Sequence, residues 1–108
     1  MSRGYSPVCM RTIEHTNKFK RDYKRETNGR SRKYVQELDA ELTAVVQVLA
    51  TDGTLDQRYY DHPLSGKWKD HRDCHVRPDL VLIYCKPDQD TLTLVRLGSH
   101  SELALTGR

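Results

Sequence analysis

The chain has no apolar stretch approaching the roughly 20 residues that cross a bilayer, and its N-terminus lacks the hydrophobic segment of a signal peptide. Neither a membrane span nor a secretory leader is therefore expected. Cysteine is scarce. Cys9, Cys74 and Cys85 are odd in number and share no paired spacing, which argues against a disulfide framework and for a reducing compartment. His71, Cys74 and His75 form an H-x-x-C-H run, but the second spaced pair of a structural zinc site is missing, so no metal is expected. Repeats, low-complexity tracts and internal linkers are absent too, which leaves one small domain. At 108 residues and 36% hydrophobic composition, its core is modest.

Hydrophobic periodicity orders the elements. Arg11 to His15 alternates as a short strand; Thr16 or Asn17 caps a helix on which Phe19 and Tyr23 share a face, and Asn28-Gly29 ends it. From Ser31, Tyr34, Leu38, Leu42, Val45 and Leu49 recur every three or four residues, predicting an amphipathic helix to about Ala50. The second half reads as strands over Trp68–Val76, Leu80–Cys85 and Thr91–Leu97, separated by the turn-like Arg77-Pro78-Asp79 and residues 86–90. Leu80 to Tyr84 is apolar on both faces, which fits a central strand covered on both sides. The expected fold is α+β, of order β-α-α-β-β-β, with a helical hairpin laid on a small, mainly antiparallel sheet.

The net charge of +3 is unevenly spread: residues 11–33 carry nine Lys/Arg against three acids, and residues 34–60 carry one against five. The first segment offers a basic surface for a phosphate backbone or an acidic protein, although a solvated helix face explains any single lysine there.

Four of the five histidines, His62, His71, His75 and His100, lie between residues 61 and 100, interspersed with Lys67, Lys69, Arg72, Arg77 and Arg96. Groups that titrate near neutral pH thus alternate with groups that stay cationic. Attack of a 2'-hydroxyl on its neighbouring phosphate needs a proton acceptor, positive charge around the phosphorane and a proton donor for the departing 5'-oxygen. This residue set supplies all three. If the strand began at Trp68, Lys69, His71, Asp73 and His75 would share one face. Arg96 falls among apolar neighbours and needs an anion, either a substrate phosphate or an internal carboxylate.

These residues also carry a family resemblance. Asp61-His62-Pro63-Leu64, Gly66, Trp68-Lys69, Arg72-Asp73, His75-Val76, Pro78-Asp79 and Leu82-Ile83-Tyr84, then Arg96, Gly98-Ser99-His100 and Leu103, resemble the YafQ-type branch of the RelE/ParE superfamily of bacterial toxins. The resemblance covers the C-terminal half at motif level and, more loosely, everything from Met10 onward. Residues 1–9 then read as an N-terminal extension to a domain spanning 10–108. The resemblance implies a RelE-like fold and a type II toxin–antitoxin system. Its toxin would be a ribosome-dependent endoribonuclease, cutting mRNA in the A site by metal-free and cofactor-free transesterification and so inhibiting translation in the bacterial cytoplasm. It also implies a cognate antitoxin, acidic in its toxin-binding arm, that would supply any contact with operator DNA. A ParE-like toxin acting on DNA gyrase without nuclease chemistry is the alternative, and the histidine set argues against it.

On that resemblance the catalytic candidates are His62, His75, Asp79, Arg96 and His100, and the substrate-binding candidates are Lys67, Lys69, Arg72 and Arg77. Asp79 or His62 would be the base, His100 or His75 the acid, and Arg96 the stabiliser of the phosphorane. Each has a plainer structural reading. His62 and Asp79 are also ordinary turn residues, and Arg72 suits an ion pair with Asp73 or Asp79. Trp68 suits a core anchor and His71 a packing role. The sequence departs from the family where a Phe commonly follows Leu103, since Ala104 stands there. That departure leads us to expect weaker positioning of a substrate base.

Overall fold

The structure, a computed structural model, describes residues 10–103. The proposed N-terminal extension and Ala104 lie outside them. The elements are β1 (Thr12–His15), α1 (Asn17–Thr27), α2 (Arg32–Ala50), β2 (His62–Pro63), β3 (Arg72–Arg77), β4 (Leu80–Asp88) and β5 (Thr91–Gly98). They form one five-stranded sheet of order β1-β5-β4-β3-β2. β1 runs parallel to β5, and the other pairings are antiparallel. The α+β expectation holds with one added strand, because residues 62–63, read from sequence as loop, pair with Asp73 and Arg72.

Both helices start where the sequence offers a hydroxyl. Thr16 accepts from the Phe19 amide and Ser31 from the Tyr34 amide, satisfying donors that the first helical turn leaves open. Gly29, at φ +74°, makes the left-handed turn between them. The helices diverge rather than pack along their length. Ile13, Phe19, Tyr23, Leu42 and Val46 line an open groove of ≈ 740 Å³, which the Tyr23 hydroxyl bridges by donating to Asp39 at 2.5 Å.

β4 is central, as its two apolar faces require. Leu80, Leu82 and Tyr84 join the main core with Leu38, Leu42, Val45 and Leu49 of α2 and Leu92, Leu94 and Leu97 of β5. Val81 and Ile83 point the other way and meet Leu103, Leu64, Trp68 and Val95. Trp68 is thus an apolar anchor on the face away from the helices.

Two strand limits differ from expectation. Residues 66–68 form a 3-10 turn, with Gly66 at φ +66° and Asp70 at φ +72°, so β3 begins only at Arg72. Lys69 therefore does not share the strand face of His75. β4 runs on through Pro87 to Asp88, and the turn shrinks to Gln89-Asp90. Pro87 is tolerated because it falls within a register shift between Cys85 and Asp88, where no ladder donor is required.

The end of β5 poses a hydrogen-bonding problem. β1 stops at His15, opposite Leu94, yet β5 continues to Gly98 and exposes its edge. α1 closes that edge with side chains. Asp22 accepts from the Leu97 amide at 2.9 Å, and Arg25 donates to the Leu97 carbonyl at 3.0 Å. Arg96 donates through Nε and Nη2 to the same carboxylate at 2.7 and 3.2 Å, and Arg25 Nη1 adds a bond of 2.8 Å. Asp22 is buried, at 3% exposure. Burial pushes its carboxyl up, but the Arg96, Leu97 and Arg25 hydrogen bonds and the Arg96 charge outweigh this and hold it below the ordinary value.

Asp22→Ala leaves Arg96 without its carboxylate and should cost about 3–5 kcal/mol in urea unfolding at neutral pH. A carboxyl depressed in the folded state stabilises above its unfolded pKa of about 3.9, and that contribution fades as pH falls through the folded value. The wild-type stability should therefore fall in acid more steeply than that of Asp22→Ala. Equal acid slopes would remove Asp22 from this role.

Candidate functional site

The sheet face away from the helices is organised by register, since directly opposed residues project to the same side. One row runs His62, Asp73, Ile83 and Arg96, and the next runs His75, Val81 and Gly98. Ile83 and Val81 form an apolar floor between the polar groups. Asp73 is fully buried, beside His62 in the adjoining strand.

His62 is fixed from both sides. Its Nδ1 lies 2.7 Å from the Tyr60 carbonyl, and its Nε2 lies 2.9 Å from Asp73 Oδ1. A carbonyl can only accept, so Nδ1 carries a proton and the ring cannot flip without losing that bond. The Arg72 and Asp73 pairing of β2 sets this position, which explains why His62 precedes a proline at a short strand rather than floating in a loop.

His75 and His100 come together although 25 residues of sequence separate them: their ring centroids are 4.9 Å apart, edge to face. His75 is delivered by β3. His100 sits on a turn that the sequence builds carefully: Ser99 Oγ accepts from the Glu102 amide at 3.1 Å, and Glu102 Oε1 accepts from the Ser99 amide at 2.9 Å. This is a capping box, and buried Leu103 anchors its far end against Val81 and Ile83. Gly98 lies just before it in close quarters, since a Cβ there would stand 3.0 Å from Glu102 Oε1 and 3.1 Å from Arg25 Nη2, so that both side chains would have to shift.

Desolvation lowers the pKa of His75 below its ordinary value, and the nearby His100 and His62 add to the effect against an opposing pull from Asp73. At neutral pH the His75 ring is therefore neutral and can accept a proton. The Tyr60 ring lies on its other side, with centroids 5.4 Å apart.

The remaining sequence candidates are dispersed. Asp79 is exposed in the two-residue turn between β3 and β4 and makes no hydrogen bond or ion pair among the described residues. Lys67 and Lys69 are exposed beside the 3-10 turn. Arg72 pairs with Asp61 at 3.2 Å, and Tyr84 donates to the same carboxylate oxygen at 2.6 Å. Neither Asp73 nor Asp79 is the Arg72 partner. Arg77 pairs with Glu41 at 2.5 Å and lies over the Tyr34 ring. Arg96 takes the internal carboxylate, Asp22, rather than being left with none. His71 packs edge-on against Trp68, at 5.4 Å.

Sequence reasoning put Asp73 on the His75 face without naming it a site residue, and passed over Tyr60. Tyr60 gave no signal, because its position depends on a left-handed backbone. Among the described residues, no group of three His, Cys, Asp or Glu side chains is placed to hold a metal ion.

With this geometry in view, comparison with known proteins is informative. Residues 11–105 match the family described as bacterial toxin of type II toxin–antitoxin system, YafQ. A protein named as a YafQ toxin in Haemophilus influenzae is 48% identical over 54 residues, a match covering 47% of this chain and only about half, 53%, of that relative. The mRNA interferase toxin YafQ of Escherichia coli K12 is 34% identical over 100 residues, covering 89% of this chain and 98% of the relative. A copper-bound mutant toxin from Helicobacter pylori superposes with a TM-score of 0.74 at 40% identity, covering 87% of this chain and 99% of that one. The E. coli DinJ–YafQ toxin–antitoxin complex gives a TM-score of 0.68 at 33% identity, covering 91% and 99%. On the span of the family match and on the nearly full-length E. coli relative, the chain belongs to the YafQ family of bacterial type II toxin–antitoxin toxins.

Proposed function

We propose that this chain is a ribosome-dependent endoribonuclease that cuts mRNA in the A site and is held silent by a cognate antitoxin. The observation that carries the reading is the His75–His100 pair on the sheet face opposite α1 and α2. The names of the E. coli relatives as mRNA interferases and the existence of a DinJ–YafQ complex support it.

In the reaction, neutral His75 takes the proton of the 2'-hydroxyl, and the resulting oxyanion attacks the adjacent phosphorus. His100, from its protonated ring, gives a proton to the 5'-oxygen as the P–O5' bond breaks. The products are a 2',3'-cyclic phosphate and a 5'-hydroxyl. His62 has one nitrogen on the Tyr60 carbonyl and the other facing Asp73, so it positions the buried carboxylate beneath His75 rather than exchanging protons with RNA. Arg96 has committed Nε and Nη2 to Asp22, and its remaining N–H groups stabilise the phosphorane. Lys67 and Lys69 serve the neighbouring phosphates.

His100→Ala should lower single-turnover cleavage of ribosome-bound mRNA on the order of a hundredfold while the melting curve stays unchanged. Arg96→Ala is not a clean companion, because it leaves the Asp22 carboxylate buried beside only Arg25. Asp79→Asn separates the two candidate bases. A loss as large as that of His75→Ala would return the role of proton acceptor to Asp79.

The pH profile tests the assignment of His75. A base with a depressed pKa is active above it, so the rate should rise with pH along a limb lying below about 6.5. His100 is one cause of that depression, so replacing it by Ala should move the limb to higher pH. Since an acid partner gives a falling limb in any case, a rising limb that survives His75→Ala unchanged would remove His75 from the role of base.

Product chemistry tests the reaction class. Cleavage should persist in excess chelator and leave 5'-hydroxyl ends at codon-phased positions. Intact mRNA with trapped DNA breaks would instead support a gyrase-directed toxin.

A further inference from the structure

Beside the histidine pair, on the far side of His75, lies a cleft of ≈ 560 Å³ whose lining includes Arg58, Tyr59, Tyr60, His75 and the Arg77–Glu41 ion pair. The mechanism above uses only His75 of these, yet the volume is in the range of small-ligand sites. Tyr60 dominates its rim. The residue is 67% exposed, so burial does not account for an aromatic there.

The backbone of Tyr60 makes the case stronger. Its φ and ψ of 51° and 44° are left-handed, a conformation that Gly or Asn adopts cheaply and a bulky residue does not. The conformation is held by a 3.0 Å hydrogen bond from the Tyr60 amide to the Gln57 carbonyl and by the Tyr60 carbonyl's 2.7 Å contact with His62. One residue therefore fixes His62 through its main chain and rests its ring against His75, 5.4 Å away, while most of the residue remains exposed. Arg58, whose guanidinium lies over the Tyr59 ring at 4.9 Å, adds positive charge to the same cleft.

We propose that Tyr60 stacks on a base of the mRNA codon being cut, which holds the nucleotide next to the scissile phosphate in the cleft beside His75. Stacking tolerates any base, so the contact sets position more than sequence. This rests on the ribonuclease reading and adds to it a substrate-positioning residue.

The test uses full-length toxin and ribosomes programmed with an mRNA carrying 2-aminopurine in the A-site codon and a 2'-O-methyl group that blocks cleavage. Wild type and Tyr60→Phe should quench the 2-aminopurine fluorescence, and Tyr60→Asn should not. Asn keeps the left-handed backbone without the ring, and Tyr60→Gly is a second ringless variant that also removes the strain. On cleavable mRNA, the half-saturating ribosome concentration should rise on the order of tenfold or more for both ringless variants and stay near wild type for Phe. Quenching by Asn and Gly equal to wild type, or unchanged half-saturation, overturns the proposal. Wild-type toxin that cleaves without quenching sinks the stacking role alone. Wild-type toxin that quenches but never cuts unblocked mRNA sinks the nuclease reading and leaves the stacking contact standing.

Discussion

The Asp22 carboxylate is the contact on which the site depends. A sheet whose edge strand ends early must either leave main-chain groups unpaired or cover them, and unpaired buried groups are costly. Here α1 supplies an acceptor and a donor, Asp22 and Arg25, to the amide and carbonyl of Leu97. Because Arg96 binds the same carboxylate and Arg25 also lies 3.6 Å from Glu102, the staple reaches the turn that carries His100. Helix docking, strand closure and the placement of a proposed acid are thus one network of charge-assisted bonds, which are stronger than neutral ones. A change at Asp22 would reach the site without touching substrate.

The two faces of the sheet divide the work between them. The helix side holds most of the buried apolar side chains, and the other holds a small cluster of Val81, Ile83 and Leu103 with Leu64, Trp68 and Val95 packed around it. That second cluster shares its sheet face with the histidines, since Val81 is opposite His75 and Ile83 opposite Asp73. Burial of His75 first, and then the nearby His100 and His62, lower its pKa.

Much of this was legible in the sequence where a local rule governed the outcome. Thr16 was one of two cap candidates for α1, the spacing from Tyr34 to Leu49 marked α2, and the two apolar faces of Leu80–Tyr84 placed β4 at the centre. The failures came where non-local pairing or unusual backbone decided. Asp70 at φ +72° ended the extended reading of residues 68–71 and removed Lys69 from the His75 face. β2 is two residues long and exists only through its pairing with β3, so no periodicity could reveal it. The His75–His100 contact likewise depends on register and on the Ser99–Glu102 capping box; the box was visible as S-x-x-E, but its direction was not. The roles of the site residues were suggested by a family resemblance rather than by any of these patterns.

Most of the cations paired with carboxylates among the described residues are arginines, with Lys86, 2.7 Å from Asp52, the lysine that joins them. Arg11, Arg25, Arg72, Arg77 and Arg96 each pair with a carboxylate, and Arg11, Arg25 and Arg72 also donate to backbone carbonyls. Guanidinium groups suit this because their planar fork satisfies several acceptors from one fixed position. Lys18, Lys20, Lys24, Lys67 and Lys69 form no ion pair among the described residues and stay exposed. Cations already neutralised by carboxylates add little to the field that attracts a polyanion, so the long-range attraction of an RNA or an acidic protein falls mainly to these lysines and to Arg21, Arg30, Arg32 and Arg58, which form no ion pair among the described residues. Such attraction is screened by salt within about 10 Å at ordinary ionic strength, whereas the Arg96–Asp22 pair, with its buried carboxylate, is screened far less. Encounter with a partner and integrity of the fold are consequently carried by different cations, and salt can weaken the first while leaving the second intact.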